Sequence, residues 1–191
     1  MDLRMPGIAA HNVARIKRRL TRPIVLVGMM GVGKTTVGRR LAALLDTAFV
    51  DADEEIEQSA QLTVSEIFET YGEDYFRDGE RRVIARLMEE GGAASVIATG
   101  GGAFCQPETQ ALIMEKGLPV WLDSDIDTLV ERTARKNNRP LLAEGDARAT
   151  LKRLFEARRA DYAKAPIRVE SRRGPHSDTV EDILESIVAW L

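Results

Sequence analysis

The sequence has few of the residues that form disulfides, bind metal clusters or span membranes. Its 191 residues include one cysteine, Cys105, and two histidines. A single cysteine cannot form an internal disulfide, and these three side chains cannot supply a four-ligand zinc site. No apolar run approaches the roughly 18 residues needed to span a bilayer, and the basic N-terminus lacks the apolar segment of a secretory signal. We therefore expect a cytoplasmic protein with no membrane partner.

A large excess of charge of one sign is also lacking. The formal net charge is −3, which argues against a polycation that binds nucleic acid. A hydrophobic content of 44%, with only 15 glycines and 7 prolines, excludes disordered and low-complexity chains. The length fits a single domain, and we expect a monomer with no nucleic-acid partner.

Positive charge is concentrated at the N-terminus, where residues 1–22 carry six arginine and lysine side chains against one aspartate. Val13, Ile16 and Leu20 recur at helical spacing, which predicts a short basic amphipathic helix. We interpret residues 1–22 as an extension that packs on a single domain spanning residues 23–191. A membrane-surface element and a partner site are the alternatives.

Short apolar runs of strand length alternate with helical periodicity. They are residues 23–27, 48–50, 95–98, 119–122 and 166–169. This alternation predicts an α/β fold with a mainly parallel sheet. Ligands bind at the carboxyl ends of such strands. Gly28, Asp51 and Gly100 each follow a strand end and should therefore share one edge.

Helix-start signals occur between these runs. Thr63 and Glu66 form a capping-box pattern, and a longer helix is predicted over residues 75–90. Pro107 suits the first turn of a helix. Ser124 and Asp178 are the predicted N-caps of two later helices.

The segment Gly28–Thr35 fits the pattern G-x-x-x-x-G-K-[ST] between a strand and a helix, the context that a phosphate-binding loop requires. Glycines let backbone N–H groups converge on an anion, and the helix N-terminus adds positive potential. Lys34 should reach the β- and γ-phosphates, and the Thr35 hydroxyl should bind Mg²⁺. The predicted ATP-binding residues of the loop are Gly28, Gly31, Val32, Gly33, Lys34, Thr35 and Thr36. The loop alone does not separate a small-molecule kinase from a GTPase or a motor ATPase.

Two carboxylates, Asp51 and Asp53, follow the second strand. Residues two apart on an extended segment face the same way, so both can project toward the phosphates. We assign Asp51 to the Mg²⁺ shell and Asp53 to an acceptor hydroxyl. The structural alternative is that Asp53 caps a helix while Asp51 lies in a turn.

Arg77 and Glu80 are three residues apart on a predicted helix and share a face. They form either a structural ion pair or an arginine oriented toward a substrate carboxylate. The glycines Gly100, Gly101 and Gly102 follow a strand and would let a ligand approach backbone N–H groups closely. The segment 137–142 interrupts the helical pattern between two predicted helices and carries Arg139. This predicts a lid over about residues 133–147 that closes on the phosphates.

Taken together, these segments resemble the shikimate kinases over nearly the whole chain from about Ile24. The matching segments are GMMGVGKTTVGRRLA at 28–42, DADEEIE at 51–57, FRDGE at 76–80, GGGA at 100–103, NRPLL at 138–142 and Arg-x-x-x-Tyr at 158–162. The resemblance implies a P-loop kinase of the nucleoside-monophosphate-kinase type, with a parallel five-stranded sheet, flanking helices, a lid and an acceptor-binding region at about 53–90. The implied reaction moves the γ-phosphoryl group of ATP to the 3-hydroxyl of shikimate, in aromatic amino-acid synthesis.

The resemblance also implies roles for single residues. Asp53 would bind the shikimate hydroxyls, and Arg77 with Arg158 would hold the carboxylate. The glycines 100–102 would donate from the backbone. Lys34 and Arg139 would be the transition-state cations, and Arg132 would stack on adenine. Mg²⁺ would bind Thr35 directly and Asp51 through water.

The chain departs from the family pattern in places. No proline separates Arg158 from Tyr162, so Arg159 competes for the carboxylate role. The segment 169–174 is shortened, which leaves the adenine contacts of Arg172 and Arg173 open. The alternative functions are a kinase of another hydroxy acid, such as gluconate, and a nucleotide-binding regulatory protein without catalysis.

Overall fold

In the computed structural model the described residues are 7–134 and 146–191, with side chains from residue 10 onward. The strands of this part are β1 Ile24–Val27, β2 Phe49–Asp51, β3 Val96–Ala98, β4 Leu118–Asp123 and β5 Ile167–Glu170. They form one parallel sheet in the order β2-β3-β1-β4-β5. The predicted α/β fold with a five-stranded parallel sheet is confirmed.

Helices flank this sheet. They are α1 Gly7–Arg19, α2 Lys34–Leu45, α3 Ala52–Ala60, α4 Val64–Glu90, α5 Pro107–Lys116, α6 Ile126–Ala134, α7 Ala147–Tyr162 and α8 His176–Trp190, with a 3₁₀ turn at Ala103–Cys105. None of the helices in the described ranges is both long enough and apolar enough to cross a membrane. The predicted lid, residues 133–147 with Arg139, lies mostly outside the described residues.

The central strand of the sheet, β1, is apolar and completely buried. All four residues of β1 are buried, and none has more than a trace of exposed surface, because helices cover both faces of a parallel sheet. The strand register places Leu26 beside Ala98, and Ala98 beside Asp51. The segments that follow β1, β2 and β3 therefore emerge at the same edge, as their sequence positions predict.

The N-terminal helix is part of the main packing. Ile16 and Leu20 are buried in the hydrophobic core that contains the sheet, and α1 contacts α8 and α2. Complete burial of such a side chain contributes about 1.5–3 kcal/mol to stability. The division of the chain into an extension, residues 1–22, and a single domain, residues 23–191, stays a prediction.

A second, smaller hydrophobic cluster lies between α3 and α4. Its buried members are Ile56, Ile67 and Phe76. Helix α4 consists of two helical segments that meet at Gly72, whose φ of 83° and ψ of 173° are not helical, so α4 has a kink there. The capping box of Thr63 and Glu66 is present as predicted.

Two predicted N-caps are wrong. Asp125 precedes α6, and its carboxylate accepts the backbone N–H of Thr128 at 2.8 Å, so the cap is Asp125 and not Ser124. Helix α8 begins at His176, two residues before Asp178, and its N-cap Pro175 has no side-chain cap bond within the described chain. Proline at this position has no side chain able to accept a hydrogen bond from the helix N-terminus.

Candidate active site

The predicted phosphate loop connects β1 to α2. Gly28 has φ 134°, and a Cβ atom there would lie 2.3 Å from the carbonyl oxygen of Leu122. Any other residue would therefore be strained and would collide with β4. The ammonium group of Lys34 donates hydrogen bonds to the carbonyl oxygens of Gly28 at 2.7 Å and Met29 at 3.0 Å. The lysine thus lies across the loop at the N-terminus of α2.

Thr35 and Asp51 meet at the strand edge. The Thr35 hydroxyl donates to Asp51 Oδ2 at 2.8 Å, and Asp51 Oδ1 accepts the backbone N–H of Asp53 at 3.1 Å. Asp51 is therefore the N-cap of α3, and the alternative in which Asp53 is the cap is wrong. Asp53 is in the first turn of α3.

The Thr35 and Asp51 oxygens suit Mg²⁺. This ion prefers hard oxygen ligands and binds proteins through one or two side chains together with substrate phosphates and water. Among the described residues there is no cluster of three or more His, Cys, Asp and Glu side chains that fits a metal ion. A hydroxyl and one carboxylate beside a phosphate loop match an ion that arrives with its nucleotide.

The triple-glycine loop lies against four charged side chains. A Cβ atom on Gly100 would be 2.7 Å from Glu80 Oε1 and 2.8 Å from Asp53 Oδ1. A Cβ atom on Gly102 would be 2.6 Å from Arg77 Nη2. The corresponding position on Gly101 is 3.6 Å from Arg158 Nη1. The loop brings together the residues that the sequence assigned to an acceptor.

Arg77 and Glu80 form an ion pair, with Arg77 Nη1 2.7 Å from Glu80 Oε2. Glu80 is fully buried, and its other oxygen, Oε1, has no hydrogen-bond partner among the described residues. Burial raises the pKa of Glu80 to about 7, although the neighbouring Arg77 favours the ionised form. The pair fixes the Arg77 guanidinium against Gly102, so it is both a structural ion pair and a means of orientation.

Arg158 and Arg159, the two candidates for the carboxylate role, lie in different surroundings on α7. Arg158 is half-buried and points toward Gly101. Arg159 is exposed, and its guanidinium lies 6.0 Å from the centre of the Phe155 ring. Only Arg158 reaches the loop that also contacts Arg77.

A cavity of about 380 Å³ opens beside the phosphate loop. Its walls include residues of the loop, α6 and the connection between β5 and α8: Gly31, Gly33, Thr35, Thr36, Thr128, Glu131, Arg132, Arg173, Gly174 and His176. Arg132 donates to the carbonyl oxygens of Val32 at 3.0 Å and Arg172 at 2.8 Å. It therefore links the phosphate loop to that connection. Burial lowers the pKa of its guanidinium.

Of the two arginines left open in this connection, Arg173 lines the cavity and donates to the Thr128 hydroxyl at 3.2 Å. Arg172 is exposed and pairs with Glu170. Two residues near the loop belong to no sequence motif. His176 lines the cavity, and the hydroxyl of Ser171 donates to the carbonyl oxygen of Val32 in the phosphate loop. Contacts over such chain separations leave no local pattern.

The parallel sheet carries a phosphate loop after its central strand and a cluster of charged side chains against a glycine loop at the same edge, which is the arrangement of a P-loop kinase. The family model described as shikimate kinase matches residues 30–188. The chain belongs to the shikimate kinase family, a family of ATP-dependent phosphotransferases. The family expected from the motifs is confirmed.

Individual relatives agree with this assignment. The chain is 60% identical over 186 residues to a shikimate kinase of Novosphingobium aromaticivorans, with 96% of each chain covered. It is 51% identical over 190 residues to one of Bradyrhizobium diazoefficiens, covering 100% of this chain and 91% of the relative. The second alignment includes residues 1–22, which lie outside the match to the family model.

Solved structures show the same fold. A shikimate kinase from Acinetobacter baumannii in complex with shikimate superimposes with a TM-score of 0.86 and 37% identity, covering 93% of this chain and 97% of that one. A gluconokinase from Sinorhizobium meliloti has a TM-score of 0.60 at 18% identity, over 91% and 95% of the two chains. The second likeness is one of fold alone.

Proposed function

We propose that this protein transfers the γ-phosphoryl group of ATP to the 3-hydroxyl of shikimate, with Mg²⁺, as a cytoplasmic monomer. The observation that carries the proposal is the convergence of Asp53, Arg77 and Arg158 on the triple-glycine loop. Two arginines suit a carboxylate, and one aspartate suits a hydroxyl. This set lies at the same sheet edge as the phosphate loop.

Binding of the acceptor follows from these charges. The planar guanidinium groups of Arg77 and Arg158 hold the ring carboxylate, which is remote from the reacting hydroxyl. Glu80 keeps Arg77 in place through their 2.7 Å contact. Asp53 accepts a hydrogen bond from a ring hydroxyl and turns it toward the nucleotide. Backbone N–H groups of residues 100–102 complete the pocket.

Catalysis is mainly a matter of alignment and charge. Phosphoryl transfer needs the acceptor oxygen and the leaving oxygen in line, with cations where negative charge collects. Lys34 supplies one such cation. Arg139, which lies outside the described residues, supplies a second by resemblance to the family. Arg132 lines the cavity beside the phosphate loop, and the resemblance to the family assigns it to stacking on adenine.

Thr35 and Asp51 would hold Mg²⁺ beside the phosphates. When bound, the ion neutralises charge on the β- and γ-phosphate oxygens. The protein's own part is to keep the Thr35 hydroxyl and the Asp51 carboxylate together, at 2.8 Å. The monomeric state is supported by the fact that one chain provides described residues for both substrates.

The test is ADP release from Mg-ATP with shikimate, gluconate, AMP or no acceptor under identical conditions. Release that depends on shikimate alone is the expected result. Release with gluconate would keep the kinase fold and overturn the acceptor. ATP binding without acceptor-dependent release would indicate a regulatory nucleotide-binding protein.

A further inference from the structure

His176, the first residue of α8, lies over the phosphate loop. Its ring atoms Cε1 and Nδ1 are 3.2 and 3.6 Å from the point that a Cβ atom on Gly33 would occupy. The side chain also lines the cavity beside the loop, together with Thr36 and Arg132. The absence of a side chain on Gly33 therefore leaves room for an imidazole that enters from the far end of the sequence.

The ring has unused hydrogen-bonding capacity. Nδ1 of His176 is buried and has no partner within the described chain. Buried polar atoms are nearly always paired with protein, water or ligand. The unpaired Nδ1 atom lies beside a loop that binds anions. A bound anion that changes the local packing would supply the hydrogen-bond partner that this nitrogen lacks.

The charges that face His176 come from several elements. Burial is the largest cause that lowers the pKa of His176, followed by the charges of Arg132 on α6 and Arg40 on α2. Arg173 from the β5–α8 connection and Glu131 from α6 line the same cavity. In this mainly cationic setting the imidazole is neutral near pH 7. Bound phosphates would reverse the local sign of the potential and favour the imidazolium.

We propose that His176 is a nucleotide-binding residue, which approaches the α- and β-phosphate side of the loop and gains a proton when the nucleotide binds. This rests on the proposed nucleotide site. Gly33 and Thr36 belong to the part of the loop whose backbone holds the α- and β-phosphates, whereas Lys34 reaches toward the γ-phosphate. His176 should therefore contribute to ADP binding as much as to ATP binding.

The experiment is calorimetric titration of the full chain with Mg-ADP, without shikimate, at pH 6 and pH 8. Each titration is run in two buffers of different ionisation enthalpy, which reports the protons taken up. The variants are His176→Gln and, as a matched control, His11→Gln. His11 is the other histidine of the chain and is exposed on α1.

We expect the wild type and His11→Gln to take up protons on binding ADP at pH 6 and to bind more tightly at pH 6 than the His176→Gln variant. A rise of about one pKa unit on binding corresponds to about a tenfold gain in affinity across the titration range. Proton uptake by ADP itself cancels in the comparison with His176→Gln. Shikimate affinity should be the same in all three proteins.

Two results would overturn the inference. One is equal affinity and equal proton uptake in His176→Gln and wild type. The other is a loss of affinity that is the same at both pH values with unchanged proton uptake, since a residue that only packs against Gly33 would behave in that way. If the wild type did not bind Mg-ADP at all, the proposed nucleotide site would fail as well.

Discussion

The hydroxyl of Tyr162 donates a hydrogen bond to the carbonyl oxygen of Gly101. The same hydroxyl lies 3.8 Å from Sδ of Met29 in the phosphate loop. Tyr162 is fully buried, and its ring stacks on Trp121 with 6.0 Å between ring centres. Burial raises the pKa of this phenol, so it remains a donor. One rigid aromatic side chain therefore contacts both the acceptor loop and the nucleotide loop.

Tyr162→Phe should keep the stacking and lose the hydrogen bond that orients the Gly101 peptide. We expect the KM for shikimate to rise about three- to tenfold, the size of one neutral hydrogen bond, with a smaller change in the KM for ATP. Steady-state kinetics with each substrate varied in turn measure the two KM values separately. The control is Tyr71→Phe, since Tyr71 is exposed on α4. Equal rises in both KM values would indicate general loosening instead.

Lys34→Ala should reduce turnover by at least about a hundredfold, because a fixed cation is lost where charge develops. The change also removes the two hydrogen bonds that cross the loop. The measurement is kcat, with circular dichroism to check folding. Lys152→Ala, an exposed site on α7, should leave kcat unaltered. Normal activity in Lys34→Ala would remove the phosphate-loop assignment.

The neighbours Arg158 and Arg159 provide a matched pair. Arg158→Ala should raise the KM for shikimate about ten- to hundredfold, as expected for a charge-assisted hydrogen bond to a carboxylate. Arg159→Ala should have little effect, since this side chain is exposed and contacts Phe155. Kinetics of both variants under one set of conditions suffice. The reverse result would transfer the carboxylate role to Arg159.

The raised pKa of Glu80 predicts that the free energy of unfolding depends on pH. Its pKa is raised from 4.5 to about 7 in the folded protein, so the native state holds a proton that the unfolded state has lost between those values. Its contribution is fully present below about pH 4.5 and decreases as the pH rises toward 7. Urea unfolding at pH 5 and pH 7.5 should show this loss in the wild type and less of it in Glu80→Gln.

The control for this experiment is Glu89→Gln, at an exposed site on α4, which should retain the wild-type dependence. An identical pH dependence in Glu80→Gln and wild type would show that Glu80 titrates normally.

Removal of divalent metal should stop turnover, and Mg²⁺ should restore it. Asp51→Asn should raise the Mg²⁺ concentration needed for half-maximal activity, because the charge near the Thr35 hydroxyl is lost. Rates measured across a Mg²⁺ titration with excess ATP test this. Asp46→Asn, an exposed C-cap of α2 whose left-handed conformation asparagine tolerates, should follow the wild type. Full activity in EDTA would exclude the metal.

The contiguous parts of this site are predictable because local chemistry determines them. The loop 28–36 has its glycines, lysine and threonines in one short segment, and each strand end can be found from an apolar run. Parallel pairing then places those ends together without further information.

Other parts depend on tertiary packing. The sequence could not choose between Arg158 and Arg159, since one residue of rotation on α7 decides which arginine faces Gly101. The N-caps of α6 and α8 were predicted at Ser124 and Asp178 instead of Asp125 and Pro175, because several polar residues near each boundary can cap. His176 meets Gly33 only because α8 packs beside α2, which no local pattern records.

The glycine loop has a consequence for how such an enzyme can change its acceptor. Side chains at residues 100 and 102 would overlap the carboxylates and the guanidinium that now touch the bare backbone. Those charged groups are the ends of the Asp53, Glu80 and Arg77 side chains, so a residue larger than glycine at position 100 or 102 would displace them. A substitution in the loop would therefore act on the proposed acceptor through these side chains of α3 and α4, which couples the composition of the loop to the acceptor that it accommodates.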